Sequence, residues 1–280
     1  MFKAFLAALI LLPALMVCNA LQMASLVVLP FAPKFFRRWN RFVANAWWAA
    51  CDLWAEKLNE TQVIFSGDEL PIKENAIVIL NHQGLVDIPV VFRLARRKKR
   101  LGDMKWFVKD ILKYVPGIGW GMLFLDCLFV KRNWLADQNL IKKVFEKIIR
   151  YQVPCWIMSF VEGTRKTPKK LTASQEYALK NKYEPTKHLL IPRTKGFVAT
   201  VGALKNHVKA VYDFTIGYAP GVPSVADWMG GEVKKVCMHV RRFELNQLPQ
   251  KEDELADWLR KLFLEKDQLL IRFHQTGSFK

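Results

Sequence analysis

Residues 76–87, with the sequence AIVILNHQGLVD, join an apolar run to a polar turn and decide the fold class. Every residue from Ala76 to Leu80 is apolar, as expected for a strand that is buried on both faces of a parallel sheet. The polar residues and Gly84 that follow indicate a turn. The stretch therefore predicts a strand that ends in a polar loop at the edge of an α/β sheet.

The rest of the chain alternates in the same way between β-rich runs and helical patterns. The further predicted strands are residues 105–108, 125–130, 156–161, 208–216 and 236–243. The clearest predicted helices are residues 135–149 and 255–263. We therefore expect a single α/β domain over residues 61–280, with a mixed sheet flanked by helices on both faces.

The composition is that of a folded, strongly basic protein. Lys and Arg total 43 against 25 Asp and Glu, which leaves a net charge of +18. This excess predicts an anionic partner, which is nucleic acid, an acidic lipid surface or a phosphorylated substrate. The five cysteines show no spacing typical of a disulfide framework or a zinc site, so we expect no metal.

Residues 1–60 are predicted to form helices that anchor the protein in a membrane. No charged residue occurs between Lys3 and Lys34, and about 20 apolar residues suffice for a membrane-spanning helix. Basic residues directly after this run favour a cytoplasmic position for the rest of the chain. A cleaved secretory signal and a kinked or re-entrant segment, interrupted by Asn19 and Gln22, are the alternatives.

Two further surface features have competing interpretations. The tryptophans at positions 39, 47, 48 and 54 suit a helix that lies at the membrane interface, and they suit equally a helix packed on the protein core. The basic residues between Arg93 and Arg100 are predicted to contact anionic lipid.

His82 and Asp87 carry the residue types that general-base chemistry needs. They can meet only if His82 lies in the loop and Asp87 in the first turn of the next helix. A carboxylate on one imidazole nitrogen fixes the tautomer and leaves the other nitrogen to take a proton. The alternative is a surface histidine beside an aspartate that stabilises a helix N-terminus.

A second strand end carries the sequence Glu162-Gly163-Thr164-Arg165. Glycine permits a sharp turn, and arginine presents a planar fork that suits a phosphate. An ordinary turn, in which Arg165 pairs with Glu162, is the alternative.

Basic residues also follow two other apolar runs. Lys131 and Arg132 follow the strand over residues 125–130, and Lys195 lies in the stretch LLIPRTKGF. Ligands of α/β folds tend to bind where strands end, although solvated surface lysines are an equally good interpretation.

Four blocks in this order resemble the glycerolipid acyltransferase family, which includes 1-acylglycerol-3-phosphate acyltransferases and related lysophospholipid acyltransferases. The blocks are NHQGLVD (81–87), YVPGIGWGMLFLDCLFVKRNW (114–134), FVEGTR (160–165) and LLIPRTKGF (189–197). The later stretches AVYDFT and CMHVRRF look closest to the branch that acylates lysocardiolipin and lysophosphatidylinositol.

The resemblance implies an enzyme in which His82 is the general base on a lysophospholipid hydroxyl and Asp87 orients it. The hydroxyl would attack the thioester of acyl-CoA or acyl-carrier protein, a co-substrate, so no cofactor is expected. The residues that the resemblance assigns to the acceptor phosphate are Arg132, Glu162, Gly163, Thr164 and Arg165. Lys131 and Lys195 are candidates for headgroup or coenzyme phosphates.

Lysophosphatidate is the expected acceptor, and lysophosphatidylglycerol or lysophosphatidylinositol is the alternative. The expected partners are the lysophospholipid, the acyl thioester and an anionic membrane surface, with acyl-carrier protein as one of the two alternative donors; nucleic acid is not expected. A non-enzymatic basic protein would explain the charge but neither the apolar run nor the four blocks. The absence of further hydrophobic spans favours a bacterial inner membrane over the endoplasmic reticulum.

Overall fold

The computed structural model of the protein describes residues 2–131 and 133–280. Its strands are β1 (Gln62–Gly67), β2 (Ala76–Leu80), β3 (Met104–Lys109), β4 (Leu128–Val130), β5 (Trp156–Ser159), β6 (Ala210–Gly217) and β7 (Lys235–Glu244). Its α-helices are α1 (Phe2–Ala24), α2 (Pro33–Leu53), α3 (Asp87–Arg97), α4 (Ile118–Leu123), α5 (Trp134–Arg150), α6 (Pro168–Lys180), α7 (Thr194–Leu204), α8 (Val225–Gly230) and α9 (Glu252–Thr276).

The strands form one seven-stranded sheet in the order β1-β7-β6-β2-β5-β3-β4. Strands β6 and β7 pair antiparallel, and the other neighbours pair parallel. The mixed sheet and all the predicted strands are confirmed, although β4 begins only at Leu128. Strand β1 has no predicted counterpart, because its short run lies at the sheet edge and is largely exposed or half-buried.

Helices cover both faces of the sheet, as predicted. On one face, α1, α2 and α3 contribute Leu11, Trp48 and Val90 to a core that includes Val78 of β2. On the opposite face, α5, α7 and α9 pack around Ile77 of the same strand. Because neighbouring strand residues point to opposite faces, a strand covered on both sides must be apolar throughout.

Helix α1 packs against the α/β body along one stripe. Ala7 and Leu11 are buried in the core that the sheet shares. The polar Asn19 within the apolar run is also buried, and its Oδ1 accepts a hydrogen bond from the N–H of Gly117 at 3.1 Å. The polar interruption thus faces the protein, and the division into two domains at residue 60 stays a prediction.

The outward face of α1 is apolar and exposed. Phe5 is 67% exposed and Val17 is 60% exposed. By length and composition, Phe2–Val28 is one helix that is long and apolar enough to cross a membrane.

Two of the four tryptophans are core residues. The Trp48 ring lies 5.6 Å from the Phe92 ring, centroid to centroid. The buried Trp54 donates from Nε1 to the carbonyl of Met229 at 3.1 Å. The packing interpretation therefore holds for Trp48 of α2 and for Trp54 directly after it.

The prediction that the basic residues between Arg93 and Arg100 contact lipid is wrong for three of them. Arg93 is buried, with its Nε 2.7 Å from Oδ1 of Asp52. Arg96 pairs with the same aspartate through its own Nε. Arg100 is buried against Asp103 at 2.8 Å. These guanidinium groups neutralise carboxylates within the protein, so they are not available to phosphates of a membrane.

Helix α9 is attached to the middle of β6 by a buried ion pair. Nζ of Lys266 lies 2.5 Å from Oδ1 of Asp213 and donates to the carbonyl of Phe214 at 2.9 Å. Arg241 of β7 donates to the other oxygen of Asp213 at 2.7 Å. These contacts fix the position of α9 on β6, the strand that ends beside β2.

Candidate active site

Three loops meet where β2, β5 and β6 end. Strand β2 lies between the other two and is parallel to both, so all three end at the same edge of the sheet. The N–H of His82, after β2, donates to Oε1 of Glu162, after β5, at 2.7 Å. The edge therefore brings together the first and third sequence blocks.

His82 and Asp87 form the predicted pair. His82 lies in the loop and Asp87 is the first residue of α3, which confirms the geometry expected from their spacing. Nδ1 of His82 lies 2.9 Å from Oδ2 of Asp87. The carboxylate therefore holds Nδ1 as the protonated nitrogen and leaves Nε2 as the basic one.

Asp87 is fully buried, and its charge is balanced by hydrogen bonds. Oδ2 also accepts from the N–H groups of Gln83 and Gly84, at 2.7 and 2.9 Å. Oδ1 accepts from the hydroxyl of Tyr218 at 2.7 Å. Four donors around one carboxylate offset the cost of burying it.

The imidazole of His82 is fixed from its face as well as from Nδ1. The Phe160 ring stacks on it, with centroids 3.8 Å apart and planes 18° apart. The His82 side chain is 13% exposed, and Nε2 has no hydrogen bond to the part of the chain that the structure describes. An oriented, accessible and basic nitrogen of this kind can take a proton from a bound hydroxyl.

Glu162 is buried and does not lie where it could contact a phosphate, contrary to the sequence-based prediction. Its buried oxygens accept from the N–H groups of His82 and Leu190, at 2.7 and 2.9 Å. A buried carboxylate saturated by backbone donors has no favourable interaction to offer a phosphate. The prediction of direct contact is therefore corrected: Glu162 ties the His82 loop to the stretch before α7.

The pKa of Glu162 is raised by burial from about 4.5 to about 7, although the backbone donors and Lys266 favour its charged form. A raised pKa means that the folded protein holds this proton more tightly than the unfolded chain. The resulting stabilisation is complete below about pH 4.5 and is lost as the pH rises through about 7.

Glu162→Gln should remove that pH dependence. We expect the free energy of unfolding of the wild type, relative to the variant, to fall by about 3 kcal/mol between these two pH values. Melting curves in detergent over this range measure it, with the exposed Glu69→Gln as the matched control. Parallel pH curves for wild type and Glu162→Gln would contradict the assignment.

Gly163 allows the turn to lie close to an arginine side chain. Its φ is +73°, in the left-handed region that favours glycine. A Cβ there would lie 2.8 Å from Nε of Arg193. Arg193 is exposed, and its backbone N–H donates to the carbonyl of Val161 at 2.7 Å. The turn therefore has a guanidinium beside it that the sequence-based site did not include.

Thr164 and Arg165 complete this turn. Oγ1 of Thr164 accepts a hydrogen bond from Nζ of Lys170 at 2.6 Å. Arg165 is exposed, and within residues 2–131 and 133–280 its guanidinium has neither an ion pair nor a hydrogen bond. The alternative pairing with Glu162 does not form, because both oxygens of Glu162 accept backbone N–H groups.

The remaining predicted phosphate ligands are less defined. Lys131 and Lys195 are both exposed, and Lys195 lies in the first turn of α7. Arg132 lies outside the described residues. The phosphate contacts of all three stay predictions.

Comparison with known proteins identifies the family of the chain that carries this site. The family described as "Acyltransferase" matches residues 62–218, which include the His82, Glu162 and Tyr218 loops. The chain belongs to the acyltransferase family. A second family, "Acyltransferase C-terminus", matches residues 228–280.

Curated relatives of this acyltransferase resemble it over most of its length. A probable 1-acyl-sn-glycerol-3-phosphate acyltransferase 5 of Arabidopsis thaliana is 34% identical over 92% of this chain and 69% of its own. The human 1-acyl-sn-glycerol-3-phosphate acyltransferase gamma is 34% identical over 94% of this chain and 72% of its own.

A solved structure shares the fold. It is the crystal structure of the 1-acyl-sn-glycerophosphate acyltransferase PlsC from Thermotoga maritima, with a TM-score of 0.51 and 16% identity. The match covers 90% of this chain and 94% of that one. The likeness supports the α/β acyltransferase architecture.

Two side chains that contact the His82–Asp87 pair of this acyltransferase were not predicted. Phe160 had a local signal, because it begins the FVEGTR block directly after β5. Tyr218 had none, because it lies far along the chain and reaches Asp87 only through the pairing of β6 with β2.

Proposed function

We propose that the protein transfers a fatty acyl group from an acyl thioester to the free sn-2 hydroxyl of lysophosphatidate, which yields phosphatidate. The observation that carries the proposal is the His82 imidazole, which Asp87 holds at Nδ1 and which is accessible at Nε2. This arrangement suits proton abstraction from an alcohol.

The chemical step needs no acylated protein group. Nε2 of His82 takes the hydroxyl proton as the oxygen attacks the thioester carbonyl carbon. The C–S bond of the tetrahedral intermediate then breaks, and the leaving thiolate takes the proton from the imidazolium. Asp87 stabilises the positive charge that His82 carries between the two transfers. Acyl-CoA or acyl-carrier protein is the co-substrate, and the reaction consumes no other group.

Two exposed guanidinium groups support a phosphate-bearing acceptor. Arg165 follows the Gly163 turn, and Arg193 lies against it. Arginine binds phosphate oxygens in pairs, and the phosphate of lysophosphatidate is a terminal dianion that offers three of them. The relatives named 1-acyl-sn-glycerol-3-phosphate acyltransferases support the same acceptor.

Lysophosphatidylinositol and lysophosphatidylglycerol are the second candidates. The stretches AVYDFT and CMHVRRF favoured them in the sequence. However, Asp213 and Arg241 of these stretches pair with each other within the sheet. Their role is therefore explained by packing, which leaves lysophosphatidate as the better supported acceptor.

The membrane provides the substrates and the site of attachment. We propose that the exposed apolar face of α1 contacts lipid and that the α/β body lies on the cytoplasmic side. The net charge of +18 suits a surface of anionic headgroups.

A panel assay tests the proposed function. Purified protein in detergent is given oleoyl-CoA with lysophosphatidate, lysophosphatidylglycerol, lysophosphatidylinositol or lysophosphatidylcholine in turn. We expect the highest kcat/KM with lysophosphatidate. A preference for one of the other acceptors would overturn the acceptor assignment, and a lack of transfer to any of them would overturn the proposed function.

Arg165→Lys, measured on the same panel, tests the phosphate contact. Lysine keeps the charge but loses the planar fork, so we expect the KM for lysophosphatidate to rise about tenfold while the KM for oleoyl-CoA changes little. Lys169→Arg, on the exposed start of α6, is the control. Equal changes in both KM values, with a lower melting temperature, would assign Arg165 a structural role instead.

A further inference from the structure

Tyr218 contacts the catalytic pair from the loop after β6, which carries none of the four sequence blocks. It directly follows β6 and is 3% exposed. Its hydroxyl donates to Oδ1 of Asp87 at 2.7 Å, and Oδ1 has no other hydrogen-bond donor among the described residues. The other oxygen, Oδ2, binds His82 and two backbone N–H groups.

The Tyr218 hydroxyl is not needed to hold the His82 loop on β6. Asn81 exchanges two hydrogen bonds with the backbone of Ile216, at 2.8 and 3.0 Å. The side chain of Gln83 donates to the same carbonyl at 2.7 Å. These contacts bracket His82 in the chain, so the loop remains attached to β6 when the Tyr218 hydroxyl is removed. The hydrogen bond from Tyr218 to Asp87 therefore has a role other than holding the loop in place.

We propose that Tyr218 is a positioning residue, which acts on His82 through Asp87 by fixing the carboxylate and sharing its negative charge. This inference rests on the proposed function, in which His82 is the base. The hydroxyl is suited to the task because burial and the neighbouring Asp87 raise the pKa of Tyr218 well above its usual value. It therefore remains a protonated donor at neutral pH.

The C-terminal region sets the position of Tyr218. Gly217, the last residue of β6, lies under Phe273 of α9 so closely that a Cβ would be 2.7 Å from the ring. Lys266 of the same helix holds β6 at Phe214. The segment that matches the acyltransferase C-terminus thus supports the strand end from which Tyr218 reaches the catalytic pair.

The Tyr218 hydroxyl acts differently on the two protonation states of His82. The Tyr218 hydroxyl stabilises the Asp87 carboxylate most when His82 is neutral, because the imidazolium otherwise balances that charge. Without the hydroxyl, the pair keeps the His82 proton to higher pH, and the base is active over a narrower range. Two other charged groups interact with Asp87 from neighbouring elements, Glu162 and Lys166, and these in turn interact with Lys266 and Asp267.

Tyr218→Phe tests the proposal, with Tyr212→Phe as the matched control. Tyr212 lies on β6, the strand that leads to Tyr218, is also buried, and donates its hydroxyl to a different carboxylate, Glu74. For Tyr218→Phe we expect kcat/KM to fall about tenfold and the acidic limb of its pH profile to move up by about half a unit. Tyr212→Phe should leave both unchanged.

A second measurement does not depend on turnover. Histidine-labelled protein in detergent is titrated by NMR, and the His82 signal is assigned by its loss in His82→Ala. We expect the midpoint of this titration to move to higher pH in Tyr218→Phe. Because the assigned signal belongs to His82, the titration of Glu162 is not mistaken for it. An unchanged pH profile and midpoint, with only a lower melting temperature, would overturn the proposal.

The two measurements separate this inference from the proposed function. If no acceptor is acylated but the His82 midpoint still moves in Tyr218→Phe, the coupling through Asp87 stands and the proposed function falls. If the wild type is active and His82 is essential but neither readout moves, Tyr218 has no positioning role.

Discussion

His82→Ala should lose on the order of 10² to 10⁴ in turnover, because under the proposed function it removes the general base that takes the acceptor's proton. The melting temperature should change little, since the His82 side chain contributes one hydrogen bond and one ring contact with Phe160, and the loop keeps its backbone contacts to Glu162 and Lys166. Initial rates with oleoyl-CoA and lysophosphatidate, at saturating concentrations, measure the effect.

Two variants sharpen this test. Asp87→Asn should also lower turnover, because the amide cannot balance the imidazolium and can present the wrong group to Nδ1. His239→Ala removes a histidine that pairs with Ser66 on the far strands of the sheet, so it should retain the wild-type rate. Full activity in a folded His82→Ala protein would show that the proton is taken by another group.

Asp213→Asn should cause the largest loss of stability, about 3 to 5 kcal/mol. Lys266 and Asp213 are both fully buried, and Nζ lies 2.5 Å from Oδ1. The substitution leaves the buried Lys266 ammonium without its paired carboxylate. Denaturant unfolding in detergent, followed by tryptophan fluorescence, measures the free energy of unfolding.

Lys266→Met provides the matched comparison. It should cost less than Asp213→Asn, because Asp213 keeps its hydrogen bonds from Arg241. The double variant should be more stable than Asp213→Asn alone, since it no longer contains a buried unpaired ammonium. Additive losses in the double variant would mean that the two groups do not stabilise each other.

Local sequence was sufficient for the fold class and for the contact between His82 and Asp87. The run from Ala76 to Leu80 predicts a strand buried on both faces, because no polar residue interrupts it, and β2 lies at the centre of the sheet. The spacing of His82 and Asp87 allows contact only across a loop-to-helix boundary, and α3 begins at Asp87. Both features depend on neighbours along the chain.

Local sequence was not sufficient for Glu162. As part of Glu162-Gly163-Thr164-Arg165 it belongs to a turn that suits a phosphate, and nothing in the stretch distinguishes a ligand from a buried support. Its role depends on the N–H groups of His82 and Leu190, which come from two other loops. The same limit applies to the basic cluster, since Arg93 meets Asp52 only when α3 packs on α2.

The sequence by itself determined the α/β class, the apolar N-terminal helix and the residues that can do the chemistry, because periodicity and short spacings are local properties. Only the tertiary structure decided which carboxylate supports the site, which arginines remain exposed beside it, and that Tyr218 reaches Asp87. Those contacts arise from strand order and helix packing, which join distant segments. Their free energies depend on burial, and burial exists only once the sheet and its helices have assembled.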